Sequence, residues 1–174
     1  KAGMSHIPED RHKHGLVLDY SLEQNMVLQR YWAPEFQKHG FIKSKAVRDH
    51  AVRLIEQYDV RSGQGPVTIT RSMSGGNQQK ALLGKWMFTE PDILILDEPT
   101  RGIDVGAKYD IYCLINQMVE QGKSVIMISS EMPEILGMCD RVYIMNEGKM
   151  AGELDAKEAT QEGIMAHIMQ NQKK

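Results

Sequence analysis

The sequence predicts an α/β fold with a parallel sheet and an added helical lobe, and three observations support this prediction. Two apolar runs of strand length, residues 93–96 and 124–128, are typical of strands buried on both faces of a parallel sheet. Amphipathic helical patterns follow these runs, so that strand and helix alternate after residue 90. The stretch 20–90 is mainly helical, and we interpret it as a lobe inserted into the α/β core.

Length and composition limit the class of protein. The chain has 174 residues, of which 41% are hydrophobic and 25% charged, and this is typical of one ordinary globular domain. Its formal net charge of −2 gives no support for binding to nucleic acid or to an anionic membrane surface. No stretch approaches the roughly 20 apolar residues that span a bilayer. Cys113 and Cys139 indicate free thiols of a reducing compartment.

Local patterns predict the elements of the first half in order. Residues 4–7 are a short strand ended by Pro8, and residues 9–15 are a charged loop. Ser21 is the N-cap of a short helix. A longer helix covers residues 43–58, because its apolar residues recur at helical spacing.

Capping residues mark the helices that follow. Ser74 caps a helix that runs to about residue 88, and Asp104 caps the helix after the strand 93–96. Gly122 ends that second helix.

The sequence of the last part of the chain predicts a helix, a hairpin and a second helix. Pro133 fits the first turn of a helix. Residues 141–145 and 149–153 read as two strands joined by a turn at Asn146-Glu147-Gly148. Residues 160–170 form a modest amphipathic helix.

Asp97 and Glu98 stand where the strand 93–96 ends. In open α/β sheets, ligands gather at the carboxyl ends of the strands. A carboxylate at that position can hold a magnesium ion, and its neighbour can orient a water for in-line attack on a phosphoryl group. The alternative is an acidic turn whose side chains are only solvated.

Ser74, Gly75 and Gly76 stand at the start of a predicted helix. Glycine lets the backbone approach a ligand closely, and the first turn of a helix presents free N–H groups and a positive dipole end. Together with the Ser74 hydroxyl, this turn has the groups that bind a terminal phosphate. The alternative is a plain loop-to-helix junction, and Lys80 inside the helix is equally compatible with a solvated face.

One part of a nucleotide site is absent from the sequence. No Gly-x-x-x-x-Gly-Lys-Ser/Thr loop occurs in the 174 residues. Such a loop needs its glycines and lysine between a strand and the following helix, whereas Gly122-Lys123-Ser124 precedes a strand.

Taken together, the motifs resemble those of the ATP-binding-cassette (ABC) ATPases. Ser74 to Lys80 is similar to the signature motif of that family, and Leu94 to Asp104 is similar to its Walker B strand, catalytic glutamate and D-loop. The segments that resemble the second cassette of bacterial ribose, galactose and xylose importers are 7–11, 98–107 and 129–134. The segment 7–29 is closer to the nucleoside-importing branch.

The resemblance implies a P-loop NTPase-like fold (an ABC cassette) from which the N-terminal part, including the P-loop, is missing. The chain would then be the C-terminal portion of a cassette. A helical subdomain with the signature motif would cover about residues 20–90, an α/β core with Walker B residues 91–154, and a C-terminal helix residues 155–174. The loss of the P-loop strand would expose strand edges or apolar surface.

The resemblance also implies roles for single residues. Asp97 would bind magnesium through water, and Glu98 would be the general base or the residue that orients the attacking water. Because these cassettes dimerise head to tail, the signature motif would contact the γ-phosphate of ATP held by the other cassette. The residues implied in this contact are Ser74, Gly75, Gly76, Asn77 and Gln78.

Three further positions correspond to family motifs, and two of them depart from the usual residue. Asp104 would lie in the D-loop, which crosses between the two sites. Glu9 stands where most cassettes have the Q-loop glutamine. Ser130 stands at the switch position, where most have a histidine that a hydroxyl cannot replace in charge or reach. We therefore hypothesise that the site with the acidic pair is the weaker of two, and that the signature motif completes the stronger one.

By this resemblance the chain is part of the subunit that hydrolyses ATP, with Mg²⁺, to power import of a sugar or nucleoside, and is inactive alone. Its partners would be a second cassette, transmembrane permease subunits and, indirectly, a periplasmic or lipoprotein solute-binding protein, but no nucleic acid. It would be a peripheral subunit at the cytoplasmic face of the inner (plasma) membrane. The alternatives are an ATP-independent interaction module derived from a cassette and a soluble cassette ATPase without a permease.

Residues 11–14 (Arg-His-Lys-His) form a small basic patch in the charged loop. The spacing of His12 and His14, with no cysteine cluster nearby, does not favour zinc. A solvated loop and a contact with the permease or the nucleotide are both open interpretations.

Overall fold

The computed structural model describes residues 3–171, which divide into one unit ending at Ile128 and another beginning at Ser129. The elements of the first unit are β1 (Met4–Ile7), α1 (Leu22–Val27), β2 (Gln37–Lys38), β3 (Phe41–Ile42), α2 (Ser44–Gln57), α3 (Gly75–Met87), β4 (Ile93–Asp97), α4 (Val105–Glu120) and β5 (Ser124–Ile128). Those of the second are α5 (Met132–Met138), β6 (Arg141–Asn146), β7 (Lys149–Asp155) and α6 (Gln161–Asn171). The predicted helices and all five predicted strands are thus confirmed, with bounds that differ by at most a few residues.

Three parallel strands form the sheet of the first unit, in the order β1-β4-β5. Leu94 and Leu96 of β4 are fully buried, and Leu96 stands opposite Ile7 of β1. At the carboxyl edge of the sheet, Asp97 stands opposite Ile128 of β5. This arrangement confirms the predicted α/β fold with a parallel sheet.

The sheet has one buried face and one open face, whereas the apolar runs predicted burial on both. On the open face Met4, Ile126 and Ile128 are 53%, 52% and 49% exposed, one from β1 and two from β5. On the buried side, α3 packs against β1. An apolar run indicates a strand whose two faces both favour burial. It does not show that this chain itself supplies the residues that bury each face.

The helical lobe is built on α1 and α2. Ser21 caps α1 in a capping box with Gln24, as its position before an apolar helix predicts. The hairpin of β2 and β3 was not predicted. Its turn residues His39 and Gly40 both have positive φ, 52° and 83°, which two-residue hairpin turns require.

Residues 11–15 form one turn of π-helix, where the sequence predicts an irregular charged loop. The Asp10 carboxylate caps this turn by accepting hydrogen bonds from the backbone N–H groups of His12 and Lys13, both at 3.0 Å. The bond from Lys13 is the main reason that the pKa of Asp10 lies below its ordinary value.

The end of this turn is fastened to α3. The buried Lys85 donates from Nζ to the carbonyl of Gly15 at 2.6 Å, and burial lowers the pKa of Lys85 to about 8. A Cβ on Gly15 would lie 2.9 Å from Cδ2 of Leu82 in α3, so a larger residue at this position would require the Leu82 side chain to shift.

The second unit consists of an antiparallel hairpin with two helices. β6 pairs with β7 around Glu147 and Gly148, which have φ of 48° and 75°, so the predicted strand–turn–strand is confirmed. Val142, Ile144 and Ile164 form its small core. Within residues 3–171, no helix is long and apolar enough to cross a membrane. Both cysteines are free thiols and half-buried.

Candidate functional site: strand ends and the start of α3

Asp97 is the last residue of β4, and its carboxylate faces partly into solvent. The side chain is 31% exposed, and its Oδ2 lies 3.9 Å from Nε2 of His6 on the neighbouring strand. Magnesium typically keeps several waters and takes only one or two carboxylates from a protein. The environment of Asp97 fits such a water-mediated contact.

Glu98 has a backbone conformation that glutamate rarely adopts. Its φ of 46° lies in the left-handed region. Its N–H donates to the carbonyl of Ile128 at 2.8 Å, and its own carbonyl accepts from the N–H of Arg101 at 3.1 Å. The backbone thus leaves the ladder with β5 and turns sharply at Glu98. Such strain costs about 1–3 kcal/mol and is concentrated at functional sites.

The acidic pair supplies only part of a metal shell. Within the described part of the chain, no group of three or more histidine, cysteine, aspartate or glutamate side chains is placed to hold a metal ion. This donor set fits a magnesium ion whose remaining ligands are water and phosphate oxygens, and it does not fit a closed structural metal site.

The signature turn (residues 74–77) begins α3, and Ser74 is its N-cap, as predicted. The exposed Ser74 Oγ accepts from the backbone N–H of Asn77 at 3.4 Å and from Asn77 Nδ2 at 2.9 Å. Asn77 Oδ1 in turn accepts from the N–H of Arg61 at 2.7 Å. Ser74 and Asn77 also border a polar groove of about 680 Å³ beside the loop that contains Arg61.

Gly75 and Gly76 are closely packed within the chain itself. A Cβ on Gly76 would lie 2.5 Å from the Cβ of Ala107 in α4. A Cβ on Gly75 would lie 2.8 Å from Nη2 of Arg11 and 3.3 Å from the carbonyl oxygen of Gly102. The interpretation that these glycines admit a ligand is therefore incomplete, because they also admit neighbouring segments of this chain.

Gln78 is buried and its side-chain amide is fully engaged. Its Nε2 donates to the carbonyls of Thr70 and Met73 at 3.0 and 3.3 Å. Its Oε1 accepts from His12 Nε2 at 2.8 Å and from Arg11 Nε at 3.4 Å. Since carbonyls only accept and the arginine only donates, these bonds fix the amide orientation, and Nε2 of His12 must carry a proton.

Arg11 and Arg101 are the site residues that sequence reasoning did not single out. Arg11 Nη1 donates to the carbonyl of Arg101 at 3.0 Å. Arg101 pairs through its own guanidinium with the carboxylate of Glu9, the predicted Q-loop position. The structure thus brings Glu9 together with Arg11, Gln78 and Arg101. Asp97 is not part of this group and lies near His6 instead. The sequence signals for Arg11 were the basic patch and the segment 7–11 that resembles importer cassettes.

The remaining two predicted positions lie at helix starts. Asp104 is exposed and caps α4, with its Oδ1 accepting from the N–H of Ala107 at 3.0 Å. Ser130 is exposed and lies in the second unit, two residues before α5. Beside it, Ser129 donates to the Glu134 carboxylate and accepts from the N–H of Glu131.

Comparisons with known proteins identify the family. The family model described as "ABC transporter" matches residues 3–101. The ribose import ATP-binding protein RbsA 1 of Streptomyces avermitilis is 51% identical over 165 residues, 95% of this chain and 31% of the relative. The L-arabinose transport ATP-binding protein AraG of Geobacillus stearothermophilus is 47% identical over 163 residues, 94% of this chain and 31% of the relative. The chain thus spans about a third of the length of these relatives.

Solved structures agree on the fold. A dimeric ATP-binding cassette in a post-hydrolysis state with ADP and phosphate matches with a TM-score of 0.70 at 17% identity, over 88% of this chain and 62% of that one. A putative metal-chelate type ABC transporter in an inward-facing conformation matches with a TM-score of 0.75 at 15% identity, over 96% of this chain and 63% of that one. Because the family model matches more than half of the 174 residues, the chain belongs to the ABC transporter family and has the fold of its ATPase domain.

Proposed function

We propose that the chain is part of the ATP-hydrolysing subunit of a bacterial importer, and that the imported solute is a sugar. The observation that supports this most strongly is the acidic pair at the end of β4, where Glu98 is held in a strained left-handed conformation. The relatives described as ribose and arabinose proteins favour a sugar over a nucleoside.

The two halves of the motif set serve two different ATP sites in this proposal. Asp97 and Glu98 act on one nucleotide, and the signature turn completes the site of a second cassette in a head-to-tail dimer. Asp97 would hold a magnesium ion through water, and such an ion would supply charge neutralisation at the transferring phosphoryl group. Glu98 orients or deprotonates the attacking water. The exposed Ser74 hydroxyl and the N–H groups of the signature turn contact the terminal phosphate.

The open face of the sheet supports the proposal that further cassette sequence completes the fold. Parallel sheets are almost always covered on both faces, whereas Met4, Ile126 and Ile128 are about half exposed here. We assign residues 20–90 to the helical subdomain with the signature motif, 91–154 to the core with Walker B, and 155–174 to a C-terminal helix. The missing cover would be the part of the cassette that carries the P-loop.

Partners and location follow from the same proposal. ATP and Mg²⁺ are the cofactors, and the direct partners are a second cassette and the permease subunits. A solute-binding protein is an indirect partner. The chain works as a peripheral subunit at the cytoplasmic face of the membrane. The substitutions at the Q-loop and switch positions, Glu9 and Ser130, make the site of the acidic pair the weaker of the two.

Substitutions in the complete two-cassette protein test the proposal that the signature turn and the acidic pair serve different ATP sites. Ser74→Ala is expected to reduce the ATPase rate more than Glu98→Gln, because it removes a phosphate contact from the stronger site. Ser72→Ala is the matched control, since this exposed serine donates only to the carbonyl of Ile69. A larger loss for Glu98→Gln than for Ser74→Ala would contradict the proposal.

Calorimetry of the 174-residue chain tests whether it binds nucleotide tightly without a P-loop. Titration with MgATP is expected to show no tight binding, because the sequence has no P-loop to supply the main phosphate contacts. A micromolar dissociation constant would contradict this expectation.

A further inference from the structure

The side chain of Arg11 joins two segments that lie far apart in sequence. Its Nε donates to Gln78 in the first turns of α3, and its Nη1 donates to the carbonyl of Arg101, just before α4. Its Nη2 lies where a Cβ on Gly75 would approach it to 2.8 Å. One guanidinium therefore bonds to Gln78, the residue after the signature turn, and to Arg101, which begins the segment 101–104. It also lies close to Gly75 within the turn.

Two further contacts strengthen this connection, one from the same turn and one from Glu9, which precedes the cap of the turn. His12 donates to the same Gln78 oxygen at 2.8 Å, and Glu9 pairs with the guanidinium of Arg101. The turn is itself fixed, by the Asp10 cap at its start and by the bond from Lys85 at its end. The turn that carries Arg11 is thus held in place at both ends.

The charge of Arg11 is not expected to stabilise α3. A positive charge beside a helix N-terminus interacts unfavourably with the helix dipole, and burial lowers the pKa of Arg11 below its ordinary value. The group nevertheless stays charged, because the ordinary pKa of arginine lies far above neutral pH. Its planar fork can donate in two directions at once, which the single ammonium of lysine does less well.

We infer that Arg11 is a positioning residue that fixes the signature turn relative to residues 101–104. This inference rests on the proposed function, in which Ser74 acts across a cassette interface, and on the D-loop position that the family resemblance implies for Asp104. Arg11 holds the signature turn and residues 101–104 at a fixed distance from each other. Both segments then present one surface to a partner cassette. Such pre-organisation acts on the rate of the chemical step more than on ground-state binding.

Hydrogen exchange in the 174-residue chain tests the connection without nucleotide. Arg11→Gln is expected to raise the exchange rates of the amides at 75–78 and at 101–104 together, by about tenfold. Arg11→Lys is expected to give a smaller rise in the same two segments. Lys13→Gln is the matched control, because it removes the same charge from an exposed side chain of the same turn. A rise confined to residues 9–13, or equal rises for the control, would overturn the inference.

Kinetics of the complete two-cassette protein separate this inference from the proposed function. Arg11→Gln is expected to lower kcat for ATP hydrolysis about tenfold, with KM for ATP changed by less than about twofold. Arg11→Lys should recover part of kcat, and Lys13→Gln should leave it unchanged. If the wild-type protein hydrolyses no ATP, the proposed function fails and the exchange data alone decide on Arg11. If it hydrolyses ATP and Arg11→Gln keeps full kcat, the inference fails while the proposed function stands.

Discussion

Gly76 of α3 and Ala107 of α4 approach each other so closely that no side chain fits between them. A Cβ on Gly76 would lie 2.5 Å from the Cβ of Ala107, closer than the 3.0 Å below which real Cβ atoms are essentially never found. The start of the signature helix therefore rests directly on the helix that follows the acidic pair. This packing gives Gly76 a structural reason to be glycine that is independent of any phosphate.

Gly76→Ala is expected to destabilise the chain by about 1–3 kcal/mol, because the added methyl overlaps Ala107. Ala107→Gly in the same chain should recover part of this loss, although glycine in a helix costs about 1 kcal/mol itself. A double-mutant cycle by urea unfolding isolates the coupling between the two positions. Gly63→Ala is the control, since nothing lies within 4 Å of its added Cβ. Equal losses for Gly76→Ala and Gly63→Ala would show that the approach is not tight.

Lys80 is a buried charge shared by two carboxylates. Its Nζ lies 2.7 Å from Asp110 of α4 and 3.2 Å from Asp59, and its side chain is only 5% exposed. Either single change, Asp59→Asn or Asp110→Asn, leaves one carboxylate in place. The double change leaves the Lys80 ammonium without a counter-charge, with the Asp59 carbonyl at 3.2 Å as its remaining acceptor, and this destabilises the folded state. We therefore expect the double variant to lose more unfolding free energy than the sum of the single variants.

The rescue of this loss by Lys80→Met is the sharper part of the test. In the double-asparagine background, methionine removes the buried charge and keeps an unbranched apolar side chain, so it should restore most of the lost stability. Urea unfolding of the four variants measures this directly. Additive single effects, or no rescue by Lys80→Met, would show that the lysine is adequately solvated.

Local chemistry explains which features the sequence predicts well. Ser21, Ser74 and Asp104 cap their helices because a capping side chain bonds to an amide two or three residues away. The contact of Arg11 with Gln78 crosses 67 positions, and no local pattern encodes it. Lys80, which is equally compatible with an exposed helix face in the sequence, is buried for the same reason: its partners lie on other elements.

The stability of the first unit is expected to depend on the ionisation of His50. This ring packs against Phe36 and Phe88, with its Nε2 buried and without a hydrogen-bond partner. Burial lowers the pKa of His50 to about 4, helped by the charges of Arg53 and Arg30. The folded-state pKa lies below the value of about 6.5 in an unfolded chain, so the unfolded state gains a proton first as the pH falls. The stabilising contribution is complete above pH 6.5 and is lost progressively towards pH 4, by up to about 3 kcal/mol.

Urea unfolding between pH 4.5 and 7.5 tests this contribution by comparing variants. His50→Phe keeps an aromatic ring and removes the ionisable group, so its unfolding free energy should change less over this pH range than that of the wild type. His39→Asn is the control, because it removes an exposed histidine at a positive φ of 52° that asparagine tolerates. An unchanged pH dependence in His50→Phe would show that other groups determine it.

The open face of the sheet is expected to make the isolated chain associate with itself. Ile126 and Ile128 of β5 are 52% and 49% exposed, and exposed apolar strands pair readily with other chains. Light scattering should therefore show an apparent mass that rises with concentration. The double change Ile126→Thr with Ile128→Thr keeps β-branched side chains that suit a strand and should shift the mass towards that of a monomer. Val119→Thr on α4, where the valine is 47% exposed, should not. A wild-type chain that stays monomeric and melts cooperatively would show that this face does not drive association.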